Sequence, residues 1–573
     1  MAPTPQDMTT PADAPIHTAD TALIARLANE CFSEAAGSLS LPAWIPPVPV
    51  GTPNGSELSG GFPLATPTTH PAVHSSLQPE RTRVSAKPGT PAGEHAPGAY
   101  GTYPFGEPRC YGNQFGQRDQ ATPSANISSS LPGSSAEIFT PDYYFLRHAD
   151  SASQSSIPSA PVSRFSPTLS VLDIEAIRRD FPALHQSVHG KPLIWLDNAA
   201  TTQKPQSVID AVAQFYSRDN SNIHRAAHTL AARSTELYEN GREKVRQFIG
   251  AADSSEIVFV RGTTEAINLV AQTYGRTHIG QGDEILLTTM EHHANIVPWQ
   301  MLAEQTGAVL RVAPINDAGE LILDQFAALL TSRTKLVAVT QVSNALGTIN
   351  PVEQLIAMAH SRGVPVLVDG AQSAPHMPVN VQAMDCDFFV FSGHKIFGPT
   401  GIGVLYGKAA LLEEMPPWQG GGNMIQDVTF EKTTYQGIPQ KFEAGTPNIA
   451  GVVGLGAAID YLNQVGIPAI AAYEHELLAY ATHALSLVPG LRPIGTATAK
   501  ASVLSFVMNG ISNESVARHL DRHGIAVRAG HHCAQPTGRR YGLTGTVRPS
   551  LAFYNTPDEI DTLVRALSQI RKN

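Results

Sequence analysis

The sequence has little of what marks a secreted, membrane or disulfide-rich protein. Its 573 residues include four cysteines, at 31, 110, 386 and 533, and no two of them form a CxxC pair. Cysteines this widely spaced are typical of free thiols. No apolar run approaches the ~18 residues of a membrane span, and residues 1–20 lack the basic start and apolar stretch of a secretory signal. We therefore expect a cytoplasmic protein that makes no use of a membrane.

Charge is also scarce. Charged residues make up 15% of the chain, against about a quarter in typical soluble domains. The formal net charge of -10 argues against nucleic-acid binding. The apolar share of 42% is sufficient for a globular core, so the dilution of charge indicates that part of the chain is not globular. A chain of this length also suggests roughly two to four domains.

The composition changes near residue 165. Of the 44 prolines, 23 precede that point. Stretches such as 41–50 and 128–135 are rich in Pro, Ser or Gly and cannot sustain a helix or a central strand. They also offer little apolar surface to bury, so the free energy gained by burial would not offset the chain entropy lost on folding. We predict that residues 1–165 are mostly disordered and serve in targeting or interaction.

Three short apolar islands stand out within this region. They are the amphipathic stretch 20–32, the proline run around Trp44 and the aromatic-rich stretch 138–146. Islands of this kind in a flexible tail typically dock on a partner. Packing on the protein's own folded domain, or no role at all, agrees equally well with the composition.

After about residue 169 the pattern becomes that of an α/β protein, in which apolar runs alternate with helix-length amphipathic stretches. The strand candidates are Ile257–Val260, Ile285–Thr288, Leu336–Thr340, Val364–Val368, Asp387–Phe391 and Ile402–Tyr406. The helical patterns are Val208–Ser217, Thr235–Ile249, Pro298–Thr306 and Val352–Ser361, followed by Ala469–Leu487, Glu514–His523 and Pro557–Ile570. Such alternation predicts a mostly parallel sheet covered on both faces. The last hundred or so residues form a separate α+β lobe in this interpretation.

Two charged residues follow strands at the carboxyl edge of this sheet, where ligands gather. Asp369 ends a buried run, where it either caps the next helix or faces a ligand. Lys395 follows an apolar strand and precedes a glycine-rich turn; alone, it would be an ordinary loop residue. A lysine in a desolvated pocket has a lowered pKa and can form a Schiff base. Because pyridoxal phosphate needs such a lysine and an acid beside its ring nitrogen, the pair indicates that cofactor.

A phosphate site is predicted in the segment 260–268, which is a strand, a glycine turn and a helix start. Backbone N–H groups at that helix start, with the Thr264 hydroxyl, would bind an anion. The segment has neither GxGxxG nor GxxxxGK[ST], so a nucleotide site is not indicated. His292 and His293 follow another strand; they are either a surface turn or a lid for the cofactor ring, and correctly spaced partners for zinc are lacking nearby.

Cys533 lies five residues after Arg528 and directly after His531 and His532. Nearby positive charge and hydrogen-bond donors favour the thiolate, which is the nucleophilic form. A buried inert cysteine is the ordinary alternative for a lone one. A metal ligand is another, but adjacent residues rarely all point at one tetrahedral ion and no fourth ligand is suitably spaced. We therefore predict a nucleophile and no metal site.

These motifs resemble those of SufS-type cysteine desulfurases, the group II members of the fold-type-I, class V aminotransferase family. The resemblance extends from about residue 170 to residue 573 and is carried by Leu196–Thr202, Asn222–Arg225, Arg261–Glu265, Met290–Trp299, Val368–Ser373, Phe391–Lys395 and Gly445–Pro447. It implies a large domain at about 190–440 with a mostly parallel seven-stranded sheet. It also implies a small α+β domain, at about 441–573 with 170–189, that carries the active-site cysteine.

The resemblance implies a role for each matching residue. Lys395 would hold pyridoxal phosphate and shuttle a proton, and Cys533 would be the nucleophile. The other implied cofactor contacts are Asp369 to the ring nitrogen, Gln372 to the ring hydroxyl, His292 to the ring face, and Thr264, Ser392, His394 and the partner subunit's Thr446 to the phosphate. The implied contacts to the substrate carboxylate are Asn344, Arg528 and Arg548, and a guanidinium suits a bidentate contact of this kind. Three residues depart from the family pattern: Ala529, where many relatives have threonine, and Ala226–Ala227, where glycine is common.

The reaction implied is the conversion of L-cysteine to L-alanine with a persulfide on Cys533. The cysteine loop is short in this group, so a sulfur-acceptor protein of the SufE or SufU kind is expected, feeding Fe–S assembly or sulfur storage. A selenocysteine lyase or a plain class V aminotransferase on the same scaffold is the alternative, and the aminotransferase would not need the cysteine. An idle interaction protein is disfavoured, because the set of matching residues is intact.

The N-terminal region also carries a resemblance, to the leaders of desulfurases packaged in family 2A encapsulin shells. The segments Leu23–Phe32 and Tyr143–Leu146 resemble docking segments of such leaders. This implies a protein held inside an encapsulin nanocompartment within the cytoplasm.

Overall fold

The computed structural model describes residues 172–224 and 228–570. The chain divides into Met1–Ala149 and Asp150–Asn573, and every described residue belongs to the second unit. The predicted disordered region with its three islands, and the positions Ala226–Ala227, therefore lie outside the described residues. The domain limits given above stay a prediction.

A seven-stranded sheet forms the centre of the described part. Its strands are β1 (Ile257–Val260), β2 (Glu284–Thr288), β3 (Val309–Ala313), β4 (Thr334–Thr340), β5 (Val366–Asp369), β6 (Phe388–Ser392) and β7 (Gly403–Gly407). Their order is β1-β7-β6-β5-β4-β2-β3. Only β7 runs antiparallel to its neighbours, and the other pairs are parallel. The predicted mostly parallel, seven-stranded sheet is confirmed.

Burial explains why these segments read as continuous apolar runs. Every residue of β1, β2, β5, β6 and β7 is buried. Strands covered by helices on both faces lack the alternation of a half-exposed sheet. The edge strand β3 is the exception, with Val309 and Val312 exposed and Arg311 at its centre. That mixed pattern is why no strand was predicted there.

Helices cover the sheet and fill the second lobe. They are Ile174–Arg179, Gln206–Gln214, Thr229–Ile249, Thr263–Val270, Arg276–His278, Val297–Thr306, Leu323–Leu329, Val352–His360, Val381–Met384, Ala409–Glu414, Ile449–Val465, Ile467–Ser486, Asn513–Asp521, Gln535–Arg540 and Pro557–Ser568. The seven predicted helical patterns all fall on these helices. The pattern predicted as Val208–Ser217 continues past Gln214 as a π-helical segment, Phe215–Asp219. Among the described residues, no helix is both long and apolar enough to cross a membrane.

The helix Ile449–Val465 was not predicted because it is apolar on nearly all sides. It packs against Thr229–Ile249 and Gln206–Gln214. Small residues permit this close approach: a Cβ added at Gly241 would lie 2.5 Å from Val452 Cγ1, and one at Gly454 would lie 2.7 Å from Val212 Cγ2. A helix buried on several faces has no amphipathic stripe to detect.

The second lobe contains a four-stranded antiparallel sheet. Its strands are β8 (Leu491–Ile494), β9 (Ser505–Met508), β10 (Arg528–Gly530) and β11 (Thr546–Arg548), in the order β8-β9-β11-β10. Short strand pairs lie outside both sheets: Ser187–Val188 with Lys191–Pro192, Ile194–Trp195 with Ile525–Ala526, and Ile425–Val428 with Thr433–Tyr435. The β10–β11 pair places Arg528 directly opposite Arg548.

Candidate active site

A cleft of about 170 Å³ opens at the carboxyl ends of the central strands, where the second lobe meets the large sheet. It is lined by the ends of β4, β5 and β6 and by the loops after β1 and β2. Eleven of the twelve predicted site residues line it, namely Thr264, His292, Asn344, Asp369, Gln372, Ser392, His394, Lys395, Arg528, Cys533 and Arg548. The twelfth, Thr446, is exposed outside the cleft. That position agrees with a contribution to another subunit, which stays a prediction.

Lys395 and Asp369 interact electrostatically across the floor of this cleft. Burial lowers the pKa of Lys395 to about 8, although the negative charge of Asp369 opposes the shift. Asp369 is 3% exposed, and its Oδ1 accepts a hydrogen bond from the Ala371 N–H at 2.9 Å. Burial raises the pKa of the Asp369 carboxyl, while the Lys395 charge lowers it. The site therefore holds an amine that is easily deprotonated next to a carboxyl that can share a proton.

His292 begins the short 3-10 helix His293–Asn295 after β2. Its Nδ1 accepts the Ala294 N–H at 3.0 Å, which leaves the proton of the neutral ring on Nε2. Burial, with the nearby Lys395 charge, lowers the pKa of His292 to about 3. The ring is therefore neutral and oriented at physiological pH, as a flat surface for stacking requires.

The opposite end of the cleft is built for an anion. Thr263 begins an eight-residue helix, and both its N–H and its hydroxyl bond Ser392 Oγ, at 2.9 and 2.8 Å. The backbones of β7 and the turn before this helix approach so closely that a Cβ at Gly403 would lie 2.4 Å from Gly262 Cα. Thr264 adds an exposed hydroxyl at the helix start. Backbone N–H groups at a helix start, with hydroxyls beside them, are a typical phosphate site.

Arg548 lies on β11 at the side of the cleft nearest the second lobe, and it is 1% exposed. Its Nη1 donates to the Asn344 carbonyl at 2.9 Å and its Nη2 to Asp197 Oδ1 at 3.1 Å. Its Nε, like Asn344 Oδ1, is buried without a hydrogen-bond partner among the described residues. Unsatisfied buried polar groups that line one cleft indicate a missing polar ligand.

Cys533 reaches the cleft on a loop whose backbone is unusual. His532 and Cys533 have φ angles of 52° and 55°, in the left-handed region that costs energy for residues other than glycine. Asn344 Nδ2 donates to the His532 carbonyl at 2.7 Å, and the His293 N–H donates to the Cys533 carbonyl at 2.8 Å. Both anchoring residues follow strands of the large sheet. The thiol is half-buried, so it is accessible from the cleft.

Several residues of the site were not predicted. Thr263 and Thr340 line the cleft, and the fully buried Glu291 accepts hydrogen bonds from Thr288, Asn295 and the Thr340 N–H. Glu291 thereby ties the end of β2 to that of β4 and fixes the segment that carries His292. Its place directly before His292 was the available signal. Nothing in the sequence, however, pairs it with a strand fifty residues away.

Together these groups fit pyridoxal phosphate. The lysine, the buried acid, the neutral aromatic ring and the hydroxyl-lined helix start lie around one cleft, and the unsatisfied polar atoms of Asn344 and Arg548 face the same space. Gln372 Nε2 donates to the Ala199 carbonyl at 2.6 Å and is held at the cleft wall. A seven-stranded, mostly parallel sheet with this site at its carboxyl edge defines the fold-type-I class of pyridoxal-phosphate enzymes.

Comparison with known proteins places the chain within that class. Residues 194–563 match the aminotransferase class-V family, and the chain belongs to that family. It is 63% identical over 399 residues to a cysteine desulfurase of Synechococcus elongatus, covering 70% of this chain but only 64% of that protein. It is 54% identical over 400 residues to a cysteine desulfurase of Dickeya dadantii, covering 70% of this chain and 97% of that protein.

A solved structure shows the same relationship. The crystal structure of the cysteine desulfurase CsdA from Escherichia coli, in an S-sulfonic acid form, is 45% identical with a TM-score of 0.65. The match covers 70% of this chain and 98% of that one. The part of this chain outside the match corresponds in length to its N-terminal region. The shared fold is therefore that of residues from about 170 onward.

Proposed function

We propose that this protein is a pyridoxal-phosphate-dependent cysteine desulfurase that converts L-cysteine to L-alanine and leaves the sulfur on Cys533. One observation carries the proposal: Cys533 lines the same cleft as Lys395, Asp369 and the buried Arg548. A transaminase would use Lys395, Asp369 and Arg548 in such a cleft, but it would not need the thiol. The similarity to cysteine desulfurases over the whole folded part supports the same conclusion.

Bound pyridoxal phosphate supplies an electron sink for the substrate α-carbon. Lys395, with its pKa lowered to about 8, binds the cofactor and then moves the proton at that carbon. Asp369 would keep the pyridine nitrogen protonated, His292 would stack on the ring, and Gln372 would bond the ring hydroxyl. Thr264, Ser392 and His394 bind the phosphate.

Residues of the second lobe and of the loop after β4 bind the substrate. The Arg548 guanidinium, with Arg528 opposite it on the neighbouring strand, binds the substrate carboxylate, and Asn344 completes the contact. Arginine is suited to this task because its planar fork matches a carboxylate. This arrangement would point the substrate side chain toward the Cys533 loop.

Sulfur transfer then takes place between two sulfur atoms. The Cys533 thiolate attacks the sulfur of the substrate, a sulfur–sulfur bond forms, and the carbon–sulfur bond breaks with its electron pair passing to the substrate carbon. Protonation of that carbon yields alanine, and Cys533 retains a persulfide. The loop is anchored at both His532 and Cys533, so it cannot carry the sulfur far. A protein acceptor of the SufE or SufU kind therefore collects it, for Fe–S assembly or for storage.

Two further parts of the proposal concern assembly. The protein acts as a homodimer, in which the exposed Thr446 reaches the phosphate of the other subunit.

The N-terminal region docks the enzyme on an encapsulin shell, so that the reaction takes place inside that compartment in the cytoplasm. If a chain beginning at Leu169 co-purified with the shell protein as well as the full chain does, the docking role would be abandoned.

The activity is tested by measuring sulfide and alanine from L-cysteine. We expect the wild type to bind pyridoxal phosphate and to form both products, and Cys533→Ala to lose sulfide release while keeping the cofactor absorbance. Cys386→Ala is the matched control, because Cys386 is buried away from the cleft, and it should retain activity. Undiminished sulfide release by Cys533→Ala would refute the persulfide route, and turnover of L-selenocysteine alone would favour a selenocysteine lyase.

A further inference from the structure

A second cluster of side chains includes the thiol of Cys533 and two histidines. One ring nitrogen of His293, one of His531 and the Sγ of Cys533 all lie within 4.8 Å of one another. His531 is exposed, while His293 and Cys533 are half-buried. The cluster is assembled across the junction between the lobes, since His293 follows β2 and the other two residues follow β10.

The backbone holds this cluster in place. The Cys533 N–H donates to His531 Nδ1 at 3.0 Å, and the Gln535 N–H donates to His293 Nε2 at 3.3 Å. The two rings lie 5.6 Å apart, centre to centre, and are inclined by 32°. Three side chains are thus brought together before any ligand arrives.

Adjacent residues such as His531, His532 and Cys533 rarely all face one ion, and His532 does not take part: its ring bonds Thr546 Oγ1 at 2.8 Å. The third side chain of the cluster is His293, which comes from 240 residues earlier in the chain than Cys533. Because its members are far apart in the sequence, such a cluster cannot be recognised from a short ligand spacing.

Two imidazoles and a thiolate are ligands that Zn²⁺ and related soft cations prefer. Zinc binds sulfur at about 2.3 Å and nitrogen at about 2.0–2.1 Å, so the three atoms must draw in by roughly an ångström. The exposed His531 ring has room to make that movement.

We propose that His293, His531 and Cys533 form a binding site for a thiophilic divalent cation such as Zn²⁺. On binding, the Cys533 thiol gives up its proton to solvent and its sulfur becomes a ligand. Each imidazole binds the ion through the lone pair of one ring nitrogen. A nitrogen that accepts a backbone hydrogen bond gives up that bond. Binding therefore strengthens as pH rises. The ion leaves the Lys395 end of the cleft free but occupies the sulfur atom that must attack the substrate. Inhibition by the ion rests on the proposed function, whereas binding of the ion does not.

The test measures protection of one thiol. The full-length holoenzyme is treated with iodoacetamide with and without Zn²⁺, and alkylation is read by mass spectrometry on the peptide that carries Cys533. We expect Zn²⁺ to protect Cys533, and His293→Ala and His531→Ala each to raise the Zn²⁺ concentration needed by at least about tenfold. His483→Ala, which removes an exposed histidine of the second lobe, should behave like wild type.

Each variant provides its own baseline, because the readout is the ratio of alkylation rates with and without metal. A substitution that only alters the loop changes the alkylation rates with and without Zn²⁺ alike, so their ratio stays the same. Loss of a metal ligand changes the rate with Zn²⁺ and therefore the ratio. Protection of Cys533 that is equal in all variants, or absent in the wild type, would overturn the site. Sulfide release is measured separately. Protection without any desulfuration would sink the proposed function and leave the metal site standing, and desulfuration without protection would do the reverse.

Discussion

The protonation of Lys395 offers a quantitative test of the site's electrostatics. An ordinary lysine has a pKa near 10.5, so at pH 7 only about one amine in 3,000 is neutral. With the pKa lowered to about 8, about one in ten is neutral, a gain of about 300-fold in the form that attacks a carbonyl. This gain results from burial at the floor of the cleft.

Two substitutions should move this pKa in opposite directions. Asp369 stabilises the charged amine, so Asp369→Asn removes an attraction and should lower the pKa of Lys395 below about 8. Arg528 repels the charged amine, so Arg528→Gln should raise the pKa, by a smaller amount because Arg528 is the weakest of the named influences and its side chain is exposed. A shift of one pKa unit corresponds to about 1.4 kcal/mol.

The assay is competitive acetylation of the cofactor-free protein with trace acetic anhydride across a pH series, with free N-acetyl-lysine as the reference. Labelling of the Lys395 peptide is read by mass spectrometry. Lys500 is the matched control, because burial alone lowers its pKa to about 8 and it does not line the cleft. Its midpoint should not change in either variant. A wild-type midpoint near 10.5 for Lys395, or shifts of the same sign in both variants, would refute the electrostatic account.

Three further predictions concern the framework of the site. Glu443→Gln should destabilise the protein to urea by about 3 kcal/mol, because it removes the carboxylate that pairs with Arg242 where both side chains are 1% exposed and leaves the guanidinium paired with the more exposed Glu239; Arg242→Met combined with Glu443→Met should recover part of that loss, and a double variant whose loss equals the sum of the two single methionine variants would contradict the pairing. Gly403→Ala should weaken binding of pyridoxal phosphate by about tenfold or more, since its Cβ would lie 2.4 Å from the backbone of the phosphate turn; Gly420→Ala, with no atom near its Cβ, should bind normally. Cys386 should resist thiol reagents until the protein unfolds, because burial raises the pKa of its thiol, and labelling of its peptide in the native state would show that this part of the core opens.

The sequence was sufficient to predict most of the central sheet. Six of its seven strands were predicted to within about two residues, because strands buried on both faces are continuous apolar runs between helical patterns. The edge strand β3 and the helix Ile449–Val465 were missed for opposite reasons. The strand mixes exposed and buried residues, so it lacks the continuous apolar run of the other strands. The helix is apolar on most sides, so it lacks an amphipathic pattern.

The sequence predicted which residues line the site, but it did not predict the hydrogen bonds that hold them in place. Lys395 and Asp369 could be paired from chemistry and strand position alone, since the carboxyl ends of parallel strands meet at one edge. The contacts of Glu291 with Thr340, and of His293 with Cys533, join segments that are about 50 and 240 residues apart in the chain. No local pattern encodes such contacts, and they appear only once the fold has brought the segments together.

The position of the nucleophile shows how the two lobes depend on each other. His532 and Cys533 are consecutive residues in the left-handed region, and each such residue costs of the order of 1 kcal/mol or more. The compensating hydrogen bonds come from both sides: Asn344 and His293 bond the loop from the large sheet, and Thr546 holds the His532 ring from β11. If the lobes separated, the loop would lose the bonds from Asn344 and His293, and the left-handed turn would no longer be stabilised. The position of the thiol at the cleft therefore depends on contacts across the junction between the lobes rather than on the loop alone.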